Sequence, residues 1–263
     1  MTDASPTPAP AVSAPFRLDG RVAIVTGASS GFGVRFSQVL AAAGGSVVAV
    51  ARRADRLDEL AASTPGVVGE AVDVSDDDAL RGLVERTMER FGRIDVLVNN
   101  AGVTDGPNRV EDADIDRFRR VMAVNLDAIY LLSGLCAQPM LEQGAGSIIN
   151  IASVHGFVGS APNTQPAYVA SKAAVVNLTR EMALQWATRG VRVNAIAPGY
   201  FETELTTEMI HTSSGEGWIN RNTPMGRPGE LAELDGPLLL LASDTGSYMT
   251  GHTMVVDGGW TSR

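Results

Sequence analysis
Cysteine is almost missing from this sequence: Cys136 stands alone among 263 residues, so no internal disulfide can form. Histidine is nearly as scarce, and His155, His211 and His252 are too scattered to offer metal-ligand spacing. Together these shortages predict a reduced, cytoplasmic protein without a structural metal. A basic surplus is also lacking. The chain has 21 Lys and Arg against 30 Asp and Glu, a formal charge of −9, whereas neutralising nucleic-acid phosphates needs an excess of cations. No run of about 18 apolar residues occurs, so no membrane span is expected. Met1–Pro15 (MTDASPTPAPAVSAP) has neither the basic start nor the apolar stretch of a signal peptide and reads as a disordered Pro/Ala-rich tail.

What is abundant is glycine, 28 residues or roughly 11% against a usual ~7%, together with 44% apolar residues, enough for a full core. Runs rich in Val and Ile fall at Arg21–Thr26, Ser46–Ala51, Val67–Val72, Asp95–Asn99, Ser147–Ile151, Val191–Ala197 and Thr253–Val256. Most are nearly continuous in apolar residues, as parallel strands covered on both faces are. Helical patterns separate them, the clearest being Leu80, Leu83, Val84, Thr87, Met88 and Phe91. Seven strands, with a glycine motif after the first, predict an α/β fold: a Rossmann-type doubly wound parallel sheet in three α/β/α layers, with residues 16–263 forming one domain.

The first strand ends in Thr26-Gly27-Ala28-Ser29-Ser30-Gly31-Phe32-Gly33 and leads into a helix. Glycines here permit a sharp turn and let a pyrophosphate approach the helix N-terminus, where free N–H groups favour an anion. The fourth strand ends Asn99-Asn100-Ala101-Gly102, at the expected reversal of strand order, where ligands of such sheets bind. Asp73, after the third strand, is placed either to meet an adenine or to cap the helix beginning near Asp76. The second strand continues into Arg52-Arg53 with no carboxylate to take a ribose 2′-hydroxyl. Guanidinium groups suit a 2′-phosphate, so NADP is expected as preferred cofactor with NAD also possible. The competing reading pairs both arginines with Asp55 or Asp58 on a solvated helix.

A second constellation carries chemistry. Tyr168 and Lys172 stand four apart and share one helix face, and an adjacent ammonium is expected to lower the phenol pKa, making Tyr168 an acid and base. Ser153, just past the fifth strand, offers a hydroxyl to a substrate oxygen, and Asn125 marks a polar break in the helix Val121–Tyr130. The set Thr26-Gly27-x-x-x-Gly31-x-Gly33, Asn99-Asn100-Ala101-Gly102, Asn125, Ser153, Tyr168-x-x-Ser171-Lys172 and Pro198-Gly199 resembles the short-chain dehydrogenase/reductases from about Leu18 to Gly259.

That resemblance implies strand order 3-2-1-4-5-6-7 and a nicotinamide cofactor along the carboxyl edge. It implies catalytic roles for Asn125, Ser153, Tyr168 and Lys172, and cofactor contacts at Gly27, Ser29, Ser30, Gly31, Phe32, Gly33, Arg52, Arg53, Asp73, Val74, Asn100, Ala101, Gly102, Tyr168, Lys172, Pro198, Gly199, Phe201 and Thr203. It also implies reversible hydride transfer between nicotinamide and a small-molecule alcohol or ketone, in a homotetramer. Phe32 replaces a usual small aliphatic residue, and the fifteen positions from Ser153 to Tyr168 make a slightly long gap. The loop Val154–Pro166, with His155, Phe157 and Pro162, is a candidate pocket wall, His155 being either a substrate contact or a solvated loop residue.

Residues 200–229 form a polar segment suited to a substrate lid. Pro198–Leu205, Asn222-Thr223-Pro224 and Gly226-Arg227 resemble the gluconate 5-dehydrogenase branch, while Arg221 and Arg227 read as solvated charges. A carrier-bound 3-oxoacyl reductase and a catalytically silent NADP(H)-binding regulator are the alternatives. The intact catalytic set argues against the second, and the acidic charge against the first.

Overall fold
The computed structural model describes residues 14–262 except 113, 205 and 211; the tail through residue 13, His211 and Leu205 lie outside the described residues. In chain order the elements are β1 (Val22–Thr26), α1 (Gly31–Ala42), β2 (Ser46–Ala51), α2 (Ala54–Ser63), β3 (Val67–Ala71), α3 (Asp77–Phe91), β4 (Val96–Asn99), α4 (Ile115–Met122), α5 (Ala128–Gln143), β5 (Gly146–Ile151), α6 (Pro166–Trp186), β6 (Val191–Pro198), α7 (Thr207–Ile210), α8 (Ser213–Asn222), α9 (Asp235–Ala242) and β7 (Thr253–Val256). All strand pairs are parallel, in the order β3-β2-β1-β4-β5-β6-β7. The order reverses between β1 and β4, and both glycine-bearing strand ends meet there.

Both sheet faces are covered, which explains the unbroken apolar strands. Ala23, Val25, Val47, Ala49, Val96 and Val98 point to one core with Phe36, Val39 and Leu40 of α1, Leu57 and Leu60 of α2, and Leu238 and Leu241 of α9. Ile24, Val48, Val50, Leu97 and Ile148 alternate to the other core, with Leu80, Leu83 and Val84 of α3, Leu132, Cys136 and Met140 of α5, and Met182 of α6. A buried ion pair, Arg35 with Asp235 at 2.9 and 2.5 Å, joins α1 to α9 across 200 positions. By length and composition the continuous helix Ile115–Gln143 could cross a membrane. Ala128, Leu132, Cys136, Ala137 and Met140 of this helix pack in the second core.

Candidate active site
The cradle at the switch point is built by Thr26. Its hydroxyl accepts the Asn100 and Ala101 N–H groups at 2.9 and 3.0 Å, while the Asn100 side chain donates to the Thr26 carbonyl at 2.8 Å. This lacing pulls the two loops so close that a Cβ on Gly27 would lie 2.8 Å from Asn100 Nδ2, and one on Gly33 only 2.1 Å from the Gly27 carbonyl oxygen. Gly27 also has φ of +69°, which L side chains rarely adopt. The first-turn N–H groups of α1 follow directly and have no acceptor within the helix. A glycine-floored groove ending on such a helix fits a dinucleotide pyrophosphate.

Around that groove several expectations are corrected. Arg53 pairs with neither Asp55 nor Asp58: its guanidinium meets Ser29 Oγ at 3.0 Å and Glu204 Oε2 at 2.9 Å. Asp73 is not the cap of α3, because Asp76 accepts from Ala79 N–H at 3.0 Å, and Asp73 instead closes a local turn onto Ser75 at 3.0 and 2.7 Å. Strand β3 stops at Ala71, one residue short of the expected Val72. Val74 is buried in the second core, and Phe32 packs edge-on against buried Phe201 at 5.4 Å between ring centroids. Pro198 ends β6, and Gly199 N–H donates to Val256 across the sheet edge at 2.9 Å.

The chemical half is set by α6. Pro166 occupies its first turn, and Asp105, buried and 62 positions away, accepts the N–H groups of Ala167 and Tyr168 at 3.1 and 3.2 Å. Four residues on, Lys172 is buried with Nζ donating to the Ile151 carbonyl at 2.7 Å and lying 5.6 Å from the Tyr168 ring centroid. Burial pulls the Lys172 ammonium down to about 8. Tyr168 moves opposite to expectation: burial raises its phenol above the ordinary value, and the hydrogen bond with Ser153 offsets this only in part. The physical reason is the burial of the phenol, while Lys172 Nζ donates to the Ile151 carbonyl.

Ser153 also caps the short turn Val154–Gly156 by accepting from His155 N–H at 3.1 Å. Asn125 lies in a π turn, Ala123–Asp127, which accounts for the polar break in the helix. Its side chain donates to Val103 O and Ser171 Oγ at 2.9 and 3.0 Å and accepts from Val103 N–H at 2.9 Å. Gly102 borders both groups: a Cβ on it would lie at ordinary contact distance, 3.6 Å from Asn125 Oδ1 and 3.7 Å from Lys172 Nζ. The glycine cradle and the candidate catalytic side chains thus share one sheet edge.

Comparison with known proteins agrees with this geometry. Residues 27–261 match the family model described as enoyl-(acyl carrier protein) reductase. A galactitol 2-dehydrogenase (L-tagatose-forming) of Cereibacter sphaeroides is 41% identical over 249 residues, covering 94% of this chain and 97% of that protein. A 3-oxoacyl-(acyl-carrier-protein) reductase of Thermotoga maritima is 38% identical over 247 residues, 92% and 98% of the two chains. A gluconate 5-dehydrogenase from Burkholderia cenocepacia J2315, solved in complex with NADP and tartrate, aligns with a TM-score of 0.89 at 35% identity over 95% and 98% of the chains. The chain belongs to the short-chain dehydrogenase/reductase family.

In this short-chain dehydrogenase the wall beside Tyr168 is aromatic. His155 is buried, not a solvated loop residue; it sits 6.3 Å from Tyr168 and 5.9 Å from Tyr200, centroid to centroid, with Nε2 3.2 Å from Tyr200 Oη. Tyr200 in turn meets Trp218 at 5.6 Å and Trp260 at 4.8 Å, and the two indoles lie 5.0 Å apart. Burial holds the His155 imidazole below its ordinary value and pushes the Tyr200 phenol up to about 12, so the wall is uncharged near neutrality. Asp105 and Trp260 were not singled out for the site by sequence reasoning, and Tyr200, Glu204 and Trp218 only as members of the lid segment, because no local spacing links them. Arg227 is not simply solvated either, being bound to Glu233 at 2.7 and 2.9 Å.

Proposed function
We propose that this short-chain dehydrogenase interconverts a secondary alcohol and a ketone on a polyol or sugar-acid substrate, using NADP in preference to NAD. The observation that carries the reading is the Ser153–Tyr168 hydrogen bond above buried Lys172, at the edge shared with the glycine cradle. The nicotinamide nucleotide, when bound, supplies or accepts the hydride. Gly27, Ser29, Ser30, Gly31, Phe32 and Gly33 hold its diphosphate end, Arg52 and Arg53 its 2′-phosphate, and Asp73 and Val74 flank the adenine. Asn100, Ala101 and Gly102, with Pro198, Gly199, Phe201 and Thr203, seat the rest. Tyr168 transfers the proton at the substrate oxygen, Ser153 orients that oxygen and stabilises its developing charge, and Lys172 holds the ribose. Asn125 holds a water linking Lys172 to solvent.

The aromatic wall of His155, Tyr200, Trp218 and Trp260 supports a substrate with both apolar C–H faces and hydroxyl groups, with residues 200–229 as the lid. The galactitol and gluconate relatives point the same way. The acyl-carrier reading, favoured by the Thermotoga relative, is disfavoured by the −9 charge facing an acidic carrier. Residues 16–263 act as one domain in a cytoplasmic homotetramer. Purified protein assayed with both cofactors against polyols, sugar acids, simple ketones and an acetoacetyl thioester tests the reading. Polyol or sugar-acid turnover with higher kcat/KM for NADP is expected, and Tyr168→Phe should lower kcat about 10²-fold or more while leaving cofactor Kd within about twofold. Comparable kcat in that variant removes Tyr168 from the mechanism.

A further inference from the structure
Glu204 follows β6 in the segment that leads into α7, and 151 positions separate it from Arg53. Its carboxylate lies against the guanidinium, Oε2 accepting from Nη2 at 2.9 Å and Oε1 from Nη1 at 3.3 Å. Ser30 of the glycine loop is its second hydrogen-bond partner. The same guanidinium holds the glycine loop through Ser29, at 3.1 and 3.0 Å to the hydroxyl and 3.3 Å to the carbonyl. A two-oxygen anion on two guanidinium N–H groups is the arrangement a phosphate adopts on arginine. Glu204, anchored also at Ser30, therefore covers Arg53, the group that lies where a ribose 2′-phosphate is expected. A carboxylate and a phosphate compete for that guanidinium, because both are anions. The pair is half open to solvent, with side chains 44% and 58% exposed, so separating it costs little.

We propose that Glu204 is a specificity-determining residue for the cofactor: it competes with the 2′-phosphate of NADP for Arg53, and so narrows the preference over NAD. The proposal rests on the reading of Arg53 as the 2′-phosphate ligand. NAD carries no phosphate at that position and leaves the Arg53–Glu204 pair closed. NADP must displace the carboxylate, and the segment bearing Glu204 gives up one of its contacts with the cofactor cradle.

Binding, measured by calorimetric titration without substrate, tests this on the wild type, Glu204→Gln, Arg53→Ala and the double variant. The ligands are NADP+, NAD+, and the fragments 2′,5′-ADP and 5′-AMP. Glu204→Gln should tighten NADP+ and 2′,5′-ADP by about three- to tenfold and change NAD+ and 5′-AMP by less than about twofold. Arg53→Ala should weaken NADP+, and in that background the Glu204 substitution should change NADP+ by less than about twofold, since the contested group is gone. If Glu204→Gln leaves NADP+ unchanged, or shifts NADP+ and NAD+ equally, while Arg53→Ala weakens NADP+, the competition is refuted and the Arg53 reading survives. If Arg53→Ala binds NADP+ as tightly as the wild type, both readings fall.

Discussion

Lys172 carries a charge at a depth where solvent cannot help it. Only 4% exposed, it has its pKa pulled from 10.5 to about 8 by burial, so keeping it protonated below pH 8 costs roughly 3 kcal/mol relative to the unfolded chain. The unfolded chain keeps this proton up to about pH 10.5, while the folded chain releases it near 8. Between those values the unfolded state binds more protons, and folding stability rises with pH. Lys172→Met removes both the cost and the bond to Ile151 O. Thermal melts across pH 6–11 should show the wild type gaining on this variant between about pH 8 and 10.5 and running parallel to it below about pH 7. Parallel curves throughout would mean that Lys172 is not desolvated. The sequence placed Tyr168 and Lys172 on one face but not the sense of the phenol shift, which depends on how deeply the phenol is buried.

Helix α6 delivers Tyr168 and Lys172 to the sheet edge, and its start is held by a residue from another loop. Asp105 satisfies two N–H groups that α6 itself leaves open, while Pro166 fixes the first turn. Asp105→Ala is expected to cost about 1 kcal/mol of stability, as lost caps do, and to lower kcat about tenfold by letting Tyr168 drift. Cofactor Kd should stay within about twofold, because the glycine cradle hangs on Thr26 instead. Equal losses in kcat and cofactor affinity would show that the whole edge had moved. Strands were legible to within a residue or so, since burial on both faces leaves an apolar run with few rivals. Asp105 was not legible, because its signal is tertiary proximity and any acid in a loop looks alike in sequence. The π turn at Asn125 was half legible, as a polar residue interrupting an apolar face.

Across the whole molecule, the same limit separates what sequence reading reached from what it missed. Motifs confined to one strand end were found, and His155 and the lid segment were marked, but not that His155, Tyr200 and Trp218 meet Trp260 once β5, β6, α8 and the C-terminal turn have come together. At the other terminus the described chain begins to earn contacts at Pro15, whose carbonyl accepts from Thr245 Oγ1 at 2.7 Å, and Phe16, which packs on the first core. Deleting residues 1–13 should leave the melting temperature within about a degree, whereas deletion through Phe16 should lower it by several degrees. A clear drop on the shorter deletion would show that the Pro/Ala-rich tail packs on the body.

The aromatic wall has an optical consequence. The sequence contains three tryptophans, and two of them, Trp218 and Trp260, stand 5.0 Å apart in the wall that faces Tyr168. The third, Trp186, closes α6, 18 positions or about 27 Å of helix beyond Tyr168. Ultraviolet emission from this protein is therefore divided by position: one indole reports from the far end of α6, and a pair in ring contact reports from the aromatic wall. The protein thus carries an indole pair in the aromatic wall and a distant reference indole at the end of α6.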